Sequence, residues 1–233
     1  MAIKGNVFYY KPNKATNMNT INPSIIEITD YVFRQISFFF PDRQKGLRGI
    51  IHKNMEESIK RTLFCINNIK IWDKHEFNIL HSSQYATFLW YLSNSVWKNT
   101  NDKIASTKIF YLNKALNGFD CFYDNNLPEI FLLGHTNGIV LCRNTYRNYL
   151  VLFQGVTIGR QKDDRPQIAE KVILYPYSSI IGNSHVKEGT VISKGVNVIN
   201  QQTEGNCYVF QDGKNIITKS CDAKIFNEYF RLN

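Results

Sequence analysis

Between Ile168 and Val198 an apolar residue recurs at every sixth position without a break. The series consists of Ile168, Leu174, Ile180, Val186, Ile192 and Val198. A helix repeats about every 3.6 residues and a strand about every 2, so neither element alone explains this interval. In a parallel β-helix each short strand forms one side of a coil, and stacked coils produce such hexads. The pattern therefore predicts a stacked β-helix in this part of the chain.

The overall composition is typical of a soluble globular protein. The chain has 233 residues, of which 43% are hydrophobic and 20% are charged, enough for one large domain or two small ones. It contains no apolar run of about 18 residues, so we expect no membrane span. The N-terminal residues lack the apolar core of a secretory signal, and we therefore expect a cytoplasmic protein.

Cysteine usage and charge narrow the class of function. The five cysteines have no CxxC spacing, which argues against a disulfide framework or a zinc ribbon and favours reduced, mostly buried thiols. The net charge is +9, but the lysines are scattered and do not alternate with aromatic residues as in an RNA-binding sheet. We therefore expect no nucleic-acid partner, and at most one local basic patch for a phosphate-bearing ligand.

Changes in residue spacing predict an α+β fold with four segments. Apolar stripes at helical spacing predict four helices, at about residues 22–40, 55–69, 82–98 and 103–116. Beyond Gly118, short β-rich runs separated by Gly, Asn, Pro and Asp replace the helical spacing. The segments are an N-terminal arm at 1–21, a helical domain at 22–117, a β-helix at 118–204 interrupted by a loop at 160–167, and C-terminal strands with a capping segment at 205–233.

His135 is the residue that most strongly suggests chemistry. It lies between two apolar runs, next to Gly134 and three residues before Gly138, and these glycines let a ligand approach the backbone. From the residues alone, His135 is either an accessible functional imidazole or a histidine satisfied within a turn. The other histidines have no ligand spacing, so we predict no metal site; they are His52, His75, His81 and His185.

Several short motifs together resemble one enzyme family. They are GHTNGIVL at 134–141, QGVTIG at 154–159, DRPQI at 164–168, SSIIGN at 178–183 and GVNVI at 195–199. In this combination the chain resembles the serine acetyltransferase branch of the hexapeptide-repeat acyltransferases, over about residues 75–200. The tail resembles a sub-branch associated with surface-polysaccharide enzymes. The resemblance implies a helical domain followed by a left-handed parallel β-helix, acetyl-CoA as the acyl donor, and a homotrimer or a dimer of trimers.

The resemblance also implies catalytic roles. His135 matches the family's general base, which takes the proton from the acceptor hydroxyl as its oxygen attacks the thioester of acetyl-CoA. Asp120, fifteen residues upstream, matches the aspartate that orients the imidazole. Glu129 is a weaker candidate for a contact at this site, and Asp124 is a rival to Asp120.

The identity of the acceptor stays open at this point. Asp164-Arg165-Pro166 matches a family loop, Asp-Arg-His-Pro, that folds over the acceptor, and Arg165 would pair with a carboxylate. The loop histidine is missing, and Gly134 replaces an acidic residue that contacts the serine amine. We therefore expect an O-acetyltransferase that acts on L-serine or a serine-like hydroxyl. A sugar hydroxyl of a surface polysaccharide or its precursor is the alternative, and a non-catalytic scaffold is a third reading.

The resemblance further predicts where CoA would bind. Six positions are candidate contacts to it: Gln154, Gly155, Gly159, Pro176, Ser178 and Lys194. The first three match positions that line the pantetheine arm. Pro176 and Ser178 stand where the family has small residues, and Lys194 is a candidate contact to the CoA phosphates.

Overall fold

A computed structural model describes residues 9–10, 23–42 and 44–232 of the chain. Most of the expected N-terminal arm therefore lies outside the described residues. Strand β1 (Tyr9–Tyr10) pairs antiparallel with β2 (Phe77–Asn78). The rest of the described chain is a helical region followed by a parallel β-solenoid of about five turns, the architecture that the spacing predicts.

Four helices build the described helical region. They are α1 (Ile25–Phe39), α2 (Leu47–Asn68), α3 (Ser82–Thr100) and α4 (Lys103–Asn117). A capping box fixes the start of α1, because the Ser24 hydroxyl accepts from the Glu27 amide while the Glu27 carboxylate accepts from the Ser24 amide. Helix α2 begins well before Met55, where the sequence predicted its start. The reason is that Leu47 and Ile51 are buried one turn apart and extend the apolar stripe.

Helix α3 occupies the centre of the helical region. Every residue from Ser83 to Val96 is buried, polar residues included. The Asn94 side chain donates a hydrogen bond to the Tyr123 carbonyl at 2.7 Å, so a polar group on this helix is satisfied by the solenoid. None of the described helices is long and apolar enough to cross a membrane.

The solenoid has three strand faces, which the chain visits in the order I, II, III in each turn. Face I is the five-stranded parallel sheet of β3 (Phe119–Cys121), β5 (Ile139–Leu141), β7 (Thr157–Gly159), β10 (Ser179–Ile181) and β13 (Asn197–Ile199). Face II contains β8 (Gln167–Ile168) and β11 (His185–Val186). Face III contains β4 (Phe131–Leu133), β6 (Leu150–Leu152), β9 (Val172–Leu174), β12 (Val191–Ile192), β14 (Cys207–Asp212) and β15 (Asn215–Ser220).

The hexad prediction is confirmed, because all six hexad residues are buried. Neighbouring turns pair them in three couples, Ile168 with Val186, Leu174 with Ile192, and Ile180 with Val198. Burying one such side chain stabilises the fold by about 1.5–3 kcal/mol. A slip of one residue would expose the whole ladder, so these residues fix the register of the turns.

The helical region covers face III. All residues of β4, β6 and β9 are buried, so both surfaces of this face are removed from water. The Cys65 thiol of α2 donates to the Phe131 carbonyl at 3.2 Å, and Trp90 of α3 packs edge-on against the Phe131 ring. Burial raises the pKa of the Cys65 thiol to about 12, so this cysteine stays protonated and unreactive.

The C-terminal segment ties the two regions together. Strands β14 and β15 form an antiparallel hairpin, and the short helix α5 (Phe226–Tyr229) follows. The Arg231 guanidinium donates to carbonyls at the end of α2, including that of Asn67 at 3.1 Å. The Lys70 amide donates to the Tyr229 carbonyl at 2.7 Å. These contacts satisfy carbonyl groups that the end of a helix leaves without partners.

Candidate functional site

The turns that join face III to face I form one edge of the solenoid, edge III–I. They are residues 134–138, 153–156, 175–178 and 193–196. Backbone hydrogen bonds stack them: the Gly155 amide donates to the Asn137 carbonyl, and the Tyr177 amide to the Gln154 carbonyl, both at 3.0 Å. Six of the predicted site residues lie along this edge: His135, Gln154, Gly155, Pro176, Ser178 and Lys194.

His135 is exposed at the first turn of edge III–I. The turn is tight because Gly138 adopts φ +78°, a left-handed conformation that favours glycine. It also lies close to the next turn, since a Cβ added to Gly138 would stand 3.6 Å from the Gly155 Cα. The imidazole is therefore accessible to a ligand while the backbone that carries it is well supported.

Gly134, next to His135, leaves the space that the Phe153 ring occupies. A Cβ at Gly134 would lie 2.5 Å from that ring. Phe153 is itself stacked on Tyr175, with ring centroids 5.4 Å apart and planes 11° from parallel. No side chain fits at position 134 unless Phe153 moves. The absence of an acidic residue here therefore has a local structural cause.

Asp120 lies at the centre of β3 and points away from the core of the solenoid. Its carboxylate forms an ion pair with Lys114 of α4 at 2.7 Å, and this hydrogen bond raises the pKa of Lys114. Among the described residues the structure shows no hydrogen bond between Asp120 and His135. Asp124, the rival candidate, is paired with Arg143 at 2.8 Å. To make the orienting contact that the sequence predicts, the Asp120 carboxylate would have to break its ion pair with Lys114 and bind the His135 imidazole instead.

Edge III–I contains a buried polar atom without a partner. The side-chain carbonyl oxygen of Gln154 is buried and accepts no hydrogen bond within the described part of the chain. Such an unpaired group costs about 1–3 kcal/mol, so its position suggests a donor that a ligand would supply. Nearby, the Tyr177 ring lies 2.4 Å from the place of a Cβ on Gly155. The Ser178 hydroxyl donates to the Tyr175 carbonyl at 2.7 Å.

Asp164 and Arg165 lie where face I meets face II, at edge I–II. The loop 160–166 forms a tight hairpin in which Gln161 and Asp164 exchange backbone hydrogen bonds of 3.0 and 3.1 Å. The Asn200 side chain holds this hairpin by donating to the Gln161 side chain at 2.7 Å. Both Asp164 and Arg165 are exposed. They are thus accessible to a ligand or another chain, but on a different edge from the imidazole.

Glu129 and Gly159 also lie away from edge III–I. Glu129 is exposed at the edge where face II meets face III, and its backbone carbonyl accepts from the Tyr91 hydroxyl at 3.1 Å. It borders a cavity of about 320 Å³ that Arg61 also lines. Gly159 ends β7 on face I, and a Cβ there would meet the Ile181 side chain at 2.9 Å. Within one chain, the predicted acceptor contacts therefore do not lie at edge III–I, where the His135 imidazole is.

A second histidine, His81, approaches His135 from the helical region. It immediately precedes α3, where the Ser83 hydroxyl donates to the Gly134 carbonyl at 3.4 Å. Its ring lies edge-on to Trp72, with centroids 5.6 Å apart. Burial lowers the pKa of His81, and the neighbouring His135 lowers it further. Sequence reasoning missed His81 because no local motif surrounds it, and only the packing of α3 on the solenoid brings it to the site.

No cluster of three or more His, Cys, Asp or Glu side chains in the described ranges is placed to hold a metal ion.

No family model matches the sequence, and no curated protein matches it. Solved structures do match. The serine acetyltransferase of Neisseria gonorrhoeae has a TM-score of 0.68 at 16% identity, covering 88% of this chain and 84% of that one.

Two ligand-bound structures are also similar. Serine acetyltransferase from Brucella abortus in complex with coenzyme A has a TM-score of 0.65 at 16% identity, covering 86% of this chain and 85% of that one. Serine acetyltransferase isoform 3 from Entamoeba histolytica, in complex with cysteine, has a TM-score of 0.54 at 14% identity, covering 83% and 73%.

The chain has the serine acetyltransferase fold. The match extends over the helical region and the solenoid, since more than four fifths of this chain is covered in each comparison. At such low identity the likeness establishes the architecture, and the roles of individual residues must be argued from the site itself.

Proposed function

We propose that the protein is an acetyl-CoA-dependent O-acetyltransferase with His135 as its general base. The observation that carries the proposal is edge III–I, where an accessible imidazole shares one row of stacked turns with the unpaired Gln154 oxygen. The fold supports it, because the similar structures described above are serine acetyltransferases.

The chemistry requires a base near the acceptor, because an alcohol is a weak nucleophile at neutral pH. His135 takes the proton of the acceptor hydroxyl while its oxygen attacks the thioester carbonyl. The carbon–sulfur bond then breaks, and the imidazolium returns the proton to the departing sulfur, so that the products are an acetyl ester and free CoA. Asp120 would stabilise the imidazolium once its carboxylate has left Lys114.

Edge III–I suits the acetyl-CoA donor. The pantetheine arm carries amide N–H groups, and one of them would satisfy the Gln154 oxygen. Lys194, exposed at the last turn of the edge, would contact the phosphates. The Brucella abortus structure contains coenzyme A, which agrees with this donor. We place the reaction in the cytoplasm, where acetyl-CoA is available.

We propose that a neighbouring subunit supplies Asp164 and Arg165. These residues lie on edge I–II, and a heterologous contact that closes into a homotrimer can bring this edge of one chain to edge III–I of the next. A dimer of trimers would preserve the same contact. Arg165 could then form a bidentate pair with an anionic group in the neighbour's site.

L-serine or a serine-like compound is the first candidate acceptor, because Arg165 can pair with a carboxylate. A sugar hydroxyl of a surface polysaccharide or its precursor is the second candidate. It is favoured by Gly134, since Phe153 fills the space in which an acidic side chain would contact the serine amine.

Release of free CoA from acetyl-CoA tests the proposal. We expect release to depend on a hydroxyl acceptor, and separate assays with L-serine and with sugar nucleotides identify its class. His135→Asn should slow transfer about 10²- to 10⁴-fold, while His52→Asn, at an exposed histidine of α2, should not. Wild-type turnover by His135→Asn would refute the general base. CoA release that no acceptor stimulates would refute the transferase itself.

A further inference from the structure

We propose that His81 is a second histidine of the acyl-transfer site, which binds a hydroxyl adjacent to the one that reacts. The acceptor would then be a compound with neighbouring hydroxyls, such as a sugar, rather than an amino acid. This inference rests on the proposed function and deepens it by naming the acceptor class.

The packing of α3 on the solenoid brings the two histidines to one junction. Ser83 is 3% exposed, and its hydroxyl donates to the Gly134 carbonyl at 3.4 Å. His81 lies two residues before Ser83, and His135 directly follows Gly134. The contact therefore connects the short segments that carry the two imidazoles.

The His81 ring packs against one buried aromatic residue, while His81 as a whole stays exposed. It packs edge-on against Trp72, which is only 6% exposed and so provides a firm support. The ring makes no capping hydrogen bond to the first turn of α3, although His81 occupies the N-cap position. His81 as a whole residue is exposed, so part of it stays accessible to a ligand.

An uncharged imidazole suits a hydroxyl better than a charged group. Burial and the proximity of His135 both lower the pKa of His81, which favours the neutral ring with one donor and one acceptor nitrogen. A hydroxyl can pair with either nitrogen. Within one chain, the guanidinium of Arg165 lies at edge I–II, so it reaches this site only from the proposed neighbouring subunit.

Acceptor kinetics test this role. His81→Ala should raise the KM for a sugar acceptor about tenfold, the effect of one lost hydrogen bond, while the KM for acetyl-CoA stays unchanged. His81→Gln should recover part of the loss, because its amide also has a donor and an acceptor. His52→Gln is the matched control and should behave as wild type. An unchanged acceptor KM in both His81 variants would overturn the inference and leave the transferase proposal intact.

A titration of the histidine ring protons by NMR tests the juxtaposition without any activity. Replacing His135 with Asn should raise the pKa of His81, because the electrostatic interaction with His135 that lowers it is removed. An unchanged His81 pKa would show that the two rings do not share a site, and would also overturn the inference. If the wild-type chain transfers acetyl to no hydroxyl compound, the proposed function fails and the His81 assignment fails with it.

Discussion

Edge III–I and edge I–II belong to the same coils, yet they differ in support and in chemistry. Edge III–I consists of short stacked turns packed against the C-terminal segment, where Tyr229 contacts Phe153 edge-on at 6.2 Å between centroids. Edge I–II carries the hairpin at 160–166, which has exposed side chains of both charges. Within one chain, His135 and the stacked turns therefore lie on a supported edge, while the hairpin that contains Arg165 lies exposed on a different edge.

The largest expected effect is on catalysis, and variants on the two edges should change different kinetic parameters. His135→Asn should lower kcat about 10²- to 10⁴-fold, because a general base acts on the chemical step. Arg165→Ala should mainly raise the KM of an anionic acceptor, since the guanidinium binds rather than transfers protons. Steady-state CoA release measures both. The distinction between the edges would fail if the two variants changed the same parameter to the same extent.

The next effect concerns the support of edge III–I. Gly134→Asp should destabilise the protein by about 1–3 kcal/mol, because the new side chain collides with Phe153. Denaturant unfolding measures this loss. Phe153→Ala removes the collision, so adding Gly134→Asp should cost less stability in the Phe153→Ala background than in the wild-type protein. If the aspartate alone had no cost, the steric explanation for glycine would be wrong.

A smaller effect on kcat is expected from Asp120, whose carboxylate lies between the helical region and face I. Asp120→Asn should lower kcat about tenfold, less than the loss of about 10⁴-fold for a buried triad aspartate, because the Asp120 side chain is 33% exposed. Lys114→Met frees the carboxylate and should leave kcat equal or higher. A lower kcat for Lys114→Met than for Asp120→Asn would show that the ion pair, not the imidazole contact, matters.

The smallest expected effect concerns Gln154, whose replacement should stabilise the free protein but weaken its binding of CoA. Gln154→Met removes the unpaired buried oxygen and should stabilise the free protein by about 1 kcal/mol. The same change should weaken CoA binding severalfold in calorimetry, since the donor loses a partner. Gln167→Met, at an exposed glutamine on face II, is the control and should change neither. Unaltered CoA affinity in Gln154→Met would remove this oxygen from the site.

The parts of the fold that depend on local repetition could be predicted from the sequence. The ladder from Ile168 to Val198 is visible in the chain because each coil repeats the same burial requirement. The start of α2 could not be placed, since Leu47 lies among glycine and basic residues that hide the apolar stripe. Its helical state depends on burial against other helices, which is a tertiary property.

The candidate site also has parts that the sequence predicts and parts that depend on tertiary packing. Motif and spacing suffice to single out His135, because its turn and the glycines around it are consecutive in the sequence. They do not reveal His81 or the Lys114–Asp120 ion pair, since both arise where helices pack on the solenoid. Nor do they show that Arg165 is on another edge, because the folding of the hairpin at 160–166 decides its position.

Complementation between two impaired subunits tests the central claim most directly. His135→Asn and Arg165→Ala chains with different tags would be co-expressed, and mixed trimers isolated through both tags. If a site combines edge III–I of one chain with edge I–II of its neighbour, each mixed trimer has one intact site in three. Transfer at low acceptor concentration should then reach about one third of the wild-type rate. Activity no higher than that of the two parent variants would contradict a site shared between subunits.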